Sequence, residues 1–417
     1  MDKNKLKVCL LNDSFPPTID GVANTVVNYA NTIQAKYGKP IVVTPKYPNV
    51  KDNYPYPVIR YASMPTQKML GYRAGFPLST KTLHKVEEKH IDIIHSHCPF
   101  VSGMVSRSLQ RVCDVPLVFT YHTKFDYDIK KLVGPKFLQN AALNLIVDNI
   151  TACDEVWVVS EGAGENLRSI GYKGDYRIME NGVDFPVGKA DDALIDSVIK
   201  KYGFNMNVSR FFFAGRMRWY KGIDIILKAL KALKNKNYDF QMIFAGDGLD
   251  FADIKKMCED FGLTKNCIFT GAITDREELR AIFSACDLFL FPSLFDTNGI
   301  VVREAAACAV PTVLIGNSCA SEGINDMDTG FLIENSVASM VAKLEILLKN
   351  PEYMKTVGIN AQEKIYLSWE DAIARAVERY HILIDNHKTK SFKKTGQGSD
   401  KLYNAFNSVY GVRKKFY

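Results

Sequence analysis

The sequence predicts an α/β protein with two domains, each a parallel sheet covered by helices. At 417 residues the chain is too long for one ordinary hydrophobic core, so two domains are expected. Short apolar runs alternate with amphipathic stretches along the body of the chain, and this alternation predicts parallel sheets with helices on both faces. The pattern stops once, after the turn sequence Asn181-Gly182-Val183-Asp184, and then resumes at Arg210.

The predicted strands are the short apolar runs, and the predicted helices are the stretches with helical periodicity between them. The strands before the break are Leu6–Leu11, Ile41–Thr44, Ile91–His95, Leu117–Thr120 and Val156–Val159. The helices in the same part are Val22–Ile33, Thr80–Lys89 and Met104–Val112. The strands after the break are Arg210–Ala214, Phe240–Ala245, Cys267–Thr270, Leu288–Phe291 and Thr312–Ile315, and a long amphipathic helix, Trp369–Ile384, follows the last of them.

These patterns divide the chain into five predicted parts. They are a first Rossmann-like domain (1–184), a linker (185–208), a second Rossmann-like domain (209–368), a helix (369–386) and a basic tail (387–417). No apolar run approaches eighteen residues, so no segment is predicted to span a bilayer. The nine cysteines are scattered without a Cys-x-x-Cys pair, which predicts reduced thiols in a cytoplasmic protein.

The positive charge of the chain is concentrated in the tail. The net charge is +7, and residues 388–417 alone contribute +7. The body is therefore neutral overall and has no basic field for nucleic acid. In the tail, Leu402, Phe406, Val409 and Tyr410 fall on one face of a predicted helix. This arrangement predicts reversible attachment to an anionic membrane, with a solvated disordered tail as the alternative.

Three loops at strand ends are candidate phosphate and sugar sites. The first strand leads to Gly21 at a helix start, where a phosphate can approach free backbone amides, although a simple tight turn explains the same residues. The strand ending at Ala214 leads to Arg216 and Lys221, which suit a diphosphate, or else form a solvated basic turn. No Gly-x-Gly-x-x-Gly motif is present at Gly21, which argues against a dinucleotide site.

The third loop follows strand Leu288–Phe291. It contains Asp296, then Asn298-Gly299-Ile300 at a helix start, and Glu304 eight positions after Asp296. Two carboxylates around a phosphate cradle suit sugar and ribose hydroxyls, while the alternative is a helix cap and a surface glutamate. His95-Ser96-His97 and Tyr121-His122-Thr123 end two strands of the first domain. No carboxylate cluster accompanies them, so no metal site is predicted.

Taken together, the motifs resemble those of the retaining glycosyltransferases of family 4 over about residues 6–386. The matching segments are Ser-Phe-Pro-Pro…Asp-Gly-Val, His-Ser-His-x-Pro-Phe, Thr-Tyr-His-Thr, Asn-Gly-Val-Asp, Gly-Arg…Lys-Gly, Ala-Gly-Asp-Gly and the acidic pair. The resemblance implies the GT-B architecture, in which two Rossmann-like domains face each other across a cleft and the last helix crosses back to the first domain. The histidine segments look most like the branch that glucosylates diacylglycerol.

The resemblance also implies residue roles. The catalytic residues would be His122, Arg216, Lys221 and Asp296. The donor-binding residues would be Gly21, Gly246, Asp247, Asn298, Gly299, Ile300 and Glu304. The implied reaction retains the anomeric configuration and uses no metal and no cofactor besides the nucleotide sugar. Two positions depart from the family pattern: Asp296 replaces the usual glutamate, and Asp20 replaces a glycine and could place a carboxylate near the acceptor.

The predicted activity is transfer of a hexose, expected to be glucose, from a UDP-sugar to a lipid such as diacylglycerol. The protein is expected on the inner face of the cell membrane. The segments 124–138 and 64–77 mix basic, aromatic and aliphatic residues, and predict acceptor or membrane contacts at Tyr72, Arg73, Lys124, Lys130 and Lys131. The alternatives are a soluble or polysaccharide acceptor, a GT-B-fold nucleotide-sugar epimerase, and a scaffold protein with a degenerate site.

Overall fold

A computed structural model describes residues 5–18, 20–66, 73–76, 79–126, 129 and 134–389. The chain divides into two compact units. The first unit comprises residues 1–181 and 369–417, and the second comprises residues 182–368. The first unit therefore contains chain from both sides of the second.

The first unit is built on a seven-stranded parallel sheet with the strand order β3-β2-β1-β6-β7-β8-β9. Its strands are β1 (Leu6–Leu11), β2 (Gly38–Pro45), β3 (Val58–Tyr61), β6 (Ile93–Ser96), β7 (Leu117–Tyr121), β8 (Glu155–Val158) and β9 (Arg177–Ile178). Strands β4 (Ser63–Met64) and β5 (Ala74–Gly75) form a separate antiparallel pair. Its helices are α1 (Gly21–Thr32), α2 (Thr80–Glu87), α3 (Val101–Cys113), α4 (Lys136–Thr151) and α5 (Glu161–Ser169), and a π-helical turn, Ile33–Tyr37, follows α1.

The second unit is built on a six-stranded parallel sheet with the order β12-β11-β10-β13-β14-β15. The strands are β10 (Ser209–Ala214), β11 (Phe240–Ala245), β12 (Cys267–Gly271), β13 (Leu288–Phe291), β14 (Thr312–Ile315) and β15 (Phe331–Ile333). The helices are α6 (Asp192–Tyr202), α7 (Ile223–Asn235), α8 (Phe251–Asp260), α9 (Arg276–Ala285), α10 (Ile300–Ala307), α11 (Val337–Leu348) and α12 (Pro351–Lys364). Short 3-10 turns lie at Trp219–Lys221 and Cys319–Ser321.

The apolar runs of the sequence become the central strands because both faces of each sheet are covered. Every residue of β13 is buried, and the three phenylalanines of β10 (Phe211, Phe212, Phe213) are fully buried. In the first unit, β1 pairs with β2 on one side and with β6 on the other, all in parallel. Both sheets therefore present the carboxyl ends of neighbouring strands along one edge, where α/β folds bind ligands.

The last helix, α13 (Trp369–Lys388), packs on the first unit, as the fold class predicts. The ring of Trp369 lies 6.2 Å from that of Tyr29, measured between centroids, and Tyr380 stacks on Trp157 at 5.5 Å. Arg379 forms an ion pair with Glu155 at the start of β8. These contacts bury the apolar face of α13 against helices and strands that precede it by more than 200 residues.

Residues 185–208, predicted as a linker, are part of the second unit. Helix α6 lies within them, and its Val198 is buried in the core of that unit. The Ser284 hydroxyl of α9 accepts a hydrogen bond from the backbone amide of Ala190 at 2.9 Å. The polar composition of the segment reflects the solvent-exposed face of α6 rather than a free connection. Within the described parts of the chain, no helix is both long and apolar enough to cross a membrane.

Candidate functional site

In the second unit, the loops after β10 and β13 meet at the carboxyl edge of the sheet. Gly222 has a left-handed backbone (φ 75°), and a Cβ atom there would lie 2.1 Å from the carbonyl oxygen of Pro292. Only glycine permits this approach. The neighbouring Lys221 thereby reaches across to Asp296, and its Nζ donates to both carboxylate oxygens at 2.6 and 2.8 Å. Two predicted catalytic residues thus form one ion pair.

Arg216 lies in the same loop after β10. Its side chain is exposed, and it forms no hydrogen bond or ion pair with the part of the chain that the structure describes. An arginine that has no protein acceptor keeps its planar set of donors available for a ligand. The carboxyl end of β10 therefore has two cationic side chains. Lys221 is paired with Asp296, whereas Arg216 has no ion-pair partner among the described residues.

The loop after β11 closes onto the loop after β10. Gly246 has φ 141°, and a Cβ atom there would lie 1.8 Å from the carbonyl oxygen of Gly215. The amide of Met217 donates to the carbonyl of Asp247 at 3.0 Å, while the Asp247 side chain accepts from the amide of Gly248 at 2.7 Å. The predicted donor-binding residues Gly246 and Asp247 thus adjoin Arg216 through backbone contacts.

Helix α10 begins directly after Asn298 and Gly299. Gly299 is its N-cap, and Ile300 is its first residue, so their amides lie in the unpaired first turn of the helix. The Asn298 side chain accepts from Arg303 at 3.3 Å. The amides at this helix start are suited to a phosphate or another anion.

Glu304 lies in the same helix and is 8% exposed. Its Oε1 accepts from Arg276 Nη2 at 2.5 Å. The same guanidinium donates to both carboxylate oxygens of Asp184 at 2.8 and 3.1 Å. Burial raises the pKa of Glu304, and the charge of Arg276 opposes that rise. The residue predicted to bind ribose is therefore held by an arginine that the motif analysis did not single out.

In the first unit, the carboxyl ends of β6 and β7 carry a cluster of histidines. His97 Nδ1 lies 2.9 Å from His122 Nε2, and the two rings stack at 5.2 Å. His95 bonds Thr120 Oγ1 through Nε2 at 2.6 Å and the Tyr380 hydroxyl through Nδ1 at 2.5 Å. The predicted sugar-contacting His122 is thus fixed by a second histidine at the adjacent strand end.

Burial keeps this histidine cluster uncharged. It lowers the pKa of His122 to about 3 and holds the pKa values of His95 and His97 well below the usual range. A neutral imidazole has one donor and one acceptor nitrogen. His122 can therefore form hydrogen bonds at neutral pH but cannot supply a positive charge.

The loop after β1 leads to α1. Gly21 is exposed, and a Cβ atom there would meet nothing within 4 Å, so the space beside it is open. The carboxylate of Asp20 accepts from the amide of Ala23 at 2.7 Å and caps the helix. Asp20 therefore has a structural role at this helix start, and its position near the acceptor stays a prediction.

Of the residues predicted to contact the acceptor or the membrane, the structure describes Arg73 and Lys124. Tyr72, Lys130 and Lys131 lie outside the described residues, and Lys124 is half-buried. Arg73 is buried, donates to the Ser63 hydroxyl and carbonyl at 2.8 and 3.0 Å, and stacks on Tyr47. These partners hold the Arg73 guanidinium within the first unit, and its contact with the acceptor or the membrane stays a prediction. The basic tail from residue 390 onwards also lies outside the described residues.

A row of exposed apolar residues marks helix α4. Phe137 is 70% exposed, and Leu138 and Leu145 are 45% and 44% exposed. Since positions three, four or seven apart share a helix face, Leu138 and Leu145 line one face together with the exposed Ala141. The opposite face, with Ile146 and Ile150, is buried against the first unit.

Each half of the chain matches a known family. Residues 19–185 match the family described as Glycosyltransferase Family 4, and residues 195–364 match Glycosyl transferases group 1. The chain is 21% identical to an alpha-monoglucosyldiacylglycerol synthase of Streptococcus pneumoniae, over 95% of this chain and 91% of the relative. It is 26% identical to a GDP-mannose-dependent alpha-mannosyltransferase of Corynebacterium glutamicum, over 90% and 88%.

A solved structure of Anabaena HepE in complex with UDP and glucose has a similar fold. Its TM-score is 0.70 at 18% identity, and the match covers 90% of this chain and 99% of that one. At this identity the likeness concerns the fold. The predicted GT-B fold class is confirmed by this match together with the two parallel-sheet units.

Proposed function

Since the chain belongs to the glycosyltransferases of the GT-B type, with a family 4 and a group 1 domain, we propose that it glucosylates a membrane lipid. The donor is UDP-glucose and the acceptor is diacylglycerol or a lipid of similar chemistry. The similarity to a monoglucosyldiacylglycerol synthase over nearly the whole chain supports this acceptor class. The similarity to a GDP-mannose-dependent enzyme makes GDP-mannose the donor to test against.

In the proposed reaction the acceptor hydroxyl attacks the anomeric carbon on the face from which UDP departs. The bond from the anomeric carbon to the β-phosphate oxygen breaks, the new glycosidic bond forms with retained configuration, and the acceptor proton passes to the departing phosphate. Arg216 and Lys221 stabilise the charge that develops on the diphosphate, and no metal is required. The amides of Gly299 and Ile300 contribute to the same task.

The carboxylates and the histidine orient the donor. Asp296, aligned by Lys221, accepts from hydroxyls of the transferred glucose, and Glu304 accepts from ribose hydroxyls. His122 forms an uncharged hydrogen bond to the transferred sugar. The side chain of Asp296 is one methylene shorter than the glutamate usual in the family. Its carboxylate therefore extends less far toward the sugar hydroxyls, and this difference affects which hexose the site selects.

The observation that carries the lipid acceptor is the exposed apolar row on α4. Phe137, Leu138 and Leu145 project from a folded helix; Lys136 is its first residue, and Lys130 and Lys131 precede it in the sequence. Apolar residues flanked by lysines are typical of surfaces that enter the headgroup region of an anionic membrane. On this proposal the protein is a peripheral membrane protein on the cytoplasmic side.

Labelled donors test the activity. Full-length protein is incubated with UDP-[14C]glucose or GDP-[14C]mannose and with vesicles of phosphatidylglycerol containing diacylglycerol. We expect label in the lipid fraction with UDP-glucose, dependence on diacylglycerol, resistance to EDTA, and an α-linked product by its anomeric proton coupling. Label that enters only a soluble polysaccharide would overturn the lipid acceptor. Conversion of the donor without any acceptor would identify an epimerase.

Vesicle sedimentation tests the membrane surface. The double variant Phe137→Asp/Leu145→Asp should bind anionic vesicles less than the wild type, and high salt should weaken the binding of both. The matched control is Ile346→Asp, because Ile346 is 49% exposed on α11 of the second unit. Equal binding by all three proteins would refute the role of α4.

A further inference from the structure

Arg276 is the first residue of α9, and three contacts fix its guanidinium. Nε and Nη2 form a fork to Asp184, at 3.1 and 2.8 Å. The guanidinium carbon lies 4.4 Å from the ring centroid of Phe185, which supports one face of the group. Because Asp184 holds two nitrogens of the guanidinium and Phe185 supports one of its faces, the guanidinium has little freedom to rotate. It therefore contacts Glu304 from a fixed direction.

That contact determines the state of Glu304. Nη2 donates to Oε1, and Glu304 is almost completely buried. Burying an ionised carboxylate without a cationic partner costs free energy, because the charge loses its hydration. The charge of Arg276 offsets this desolvation cost for Glu304. Among the described residues no donor bonds Oε2, which can therefore accept from a ligand, and a ribose offers two vicinal hydroxyls.

We propose that Arg276, held by Asp184 and Phe185, is a positioning residue that fixes the Glu304 carboxylate for recognition of the ribose hydroxyls of the donor nucleotide. The inference rests on the proposed function, because it assumes that Glu304 accepts from ribose. Arg276 acts through Glu304 and is not itself a catalytic residue. Its role is to hold the acceptor oxygen in place and to keep the carboxylate ionised.

The electrostatics give the role a pH signature. The charged groups that act on Glu304 are Arg276, on α9, and Asp184, in the segment before α6; the thiol of Cys308, the residue directly after α10, is a further titratable group beside it. Burial raises the pKa of Glu304 and Asp184 raises it further, whereas Arg276 lowers it. Without Arg276 the pKa of Glu304 rises, so the carboxyl takes up a proton as the pH falls and loses acceptor capacity.

The test is isothermal titration calorimetry of the full-length protein with UDP and with 2′,3′-dideoxy-UDP, which lacks both ribose hydroxyls. The wild type should bind UDP more tightly than the dideoxy nucleotide. Arg276→Gln should weaken UDP binding roughly tenfold at neutral pH, more at lower pH, and should leave binding of the dideoxy nucleotide unchanged. Arg276→Lys, which restores the charge but not the planar fork, should recover part of the loss.

Further variants separate positioning from general stability. Adding Arg276→Gln to the Glu304→Gln variant should not weaken UDP binding further, because Arg276 acts only through Glu304. Asp184→Asn, which loosens the guanidinium without removing its charge, should weaken UDP binding less than Arg276→Gln does. The matched control is Arg210→Gln, since Arg210 makes the same fork to Asp287, at 3.1 and 2.8 Å, at the opposite end of β10. It should bind both nucleotides as the wild type does.

The outcomes distinguish the inference from the proposed function. If Arg276→Gln still discriminates between the two nucleotides as the wild type does, the inference is wrong, but the proposed function stands. Two other results would also overturn the inference, because they would give Arg276 a merely structural role. One is an equal loss of affinity for both nucleotides in Arg276→Gln, and the other is an additive loss of UDP affinity in the double variant. If the wild type binds no UDP at all, the proposed donor fails, and the inference fails with it.

Discussion

Replacement of Arg216 by alanine separates catalysis from stability. Arg216 is exposed and makes no hydrogen bond or ion pair with the described residues, so its removal should change the free energy of unfolding by no more than about 0.5 kcal/mol. If it stabilises the departing diphosphate, the variant should lose a charge-assisted contact that strengthens in the transition state. We expect kcat to fall on the order of 100- to 1,000-fold, or about 3–4 kcal/mol in the barrier.

The assay is initial-rate transfer from UDP-glucose to diacylglycerol in anionic vesicles, with urea denaturation of the same preparations. Arg216→Lys, which keeps the charge without the planar fork, should be intermediate. The control is Arg375→Ala on α13, because the Arg375 side chain is 60% exposed and its only ion pair with a described residue is a 4.0 Å contact with Glu180. A wild-type kcat in Arg216→Ala would refute the assignment of Arg216 to the diphosphate.

Three further predictions follow from the site. Lys221→Ala should destabilise the protein by about 1–3 kcal/mol in urea denaturation, because it leaves the partly buried Asp296 unpaired, and Asp296→Ala should add little to that loss. Glu304→Gln should weaken UDP binding in calorimetry more than it lowers kcat, because a ribose contact is present in both ground and transition states. Lowering the pH from about 6.5 to 5.5 should cost on the order of 1 kcal/mol of stability for each buried histidine, measured by denaturation at both pH values. The sign follows because the unfolded state takes up protons in this range, whereas His122, with its pKa lowered to about 3, stays neutral when folded. Stability that is independent of pH over this range would contradict the burial of the cluster.

The central strands could be predicted because the sheets are parallel and covered on both faces. Strands such as Leu288–Phe291 have no exposed position, so they appear in the sequence as uninterrupted apolar runs. The strands that the sequence analysis missed lie at or beside sheet edges. Arg177–Ile178 has only two residues, both exposed, and Phe331–Ile333 has three. Runs this short contain too few residues to show a period.

The candidate site was predictable where its residues are close in sequence. The loop residues Arg216 and Lys221, and Asp296 and Glu304, follow buried strands with glycines at the turns. The partner of Glu304 was not predictable, because Arg276 lies 28 residues away at the start of another helix. The sequence Asp275-Arg276-Glu277-Glu278 indicates only a capped helix start, and Asp275 does cap α9. Likewise, Tyr380 bonds His95 across 285 residues.

At the carboxyl edge of its sheet, the second unit has positively charged side chains, whereas the first unit has neutral histidines. The proposed reaction explains this difference. A departing diphosphate gains negative charge, which exposed or half-buried cations such as Arg216 and Lys221 can stabilise without a large desolvation cost. The transferred sugar instead gains positive charge at its anomeric carbon, and a cation beside it would oppose the reaction. His122 is buried next to a second neutral histidine, and burial alone keeps it uncharged at physiological pH. It can therefore orient a sugar hydroxyl without repelling the developing positive charge, which a lysine or arginine in its place could not do.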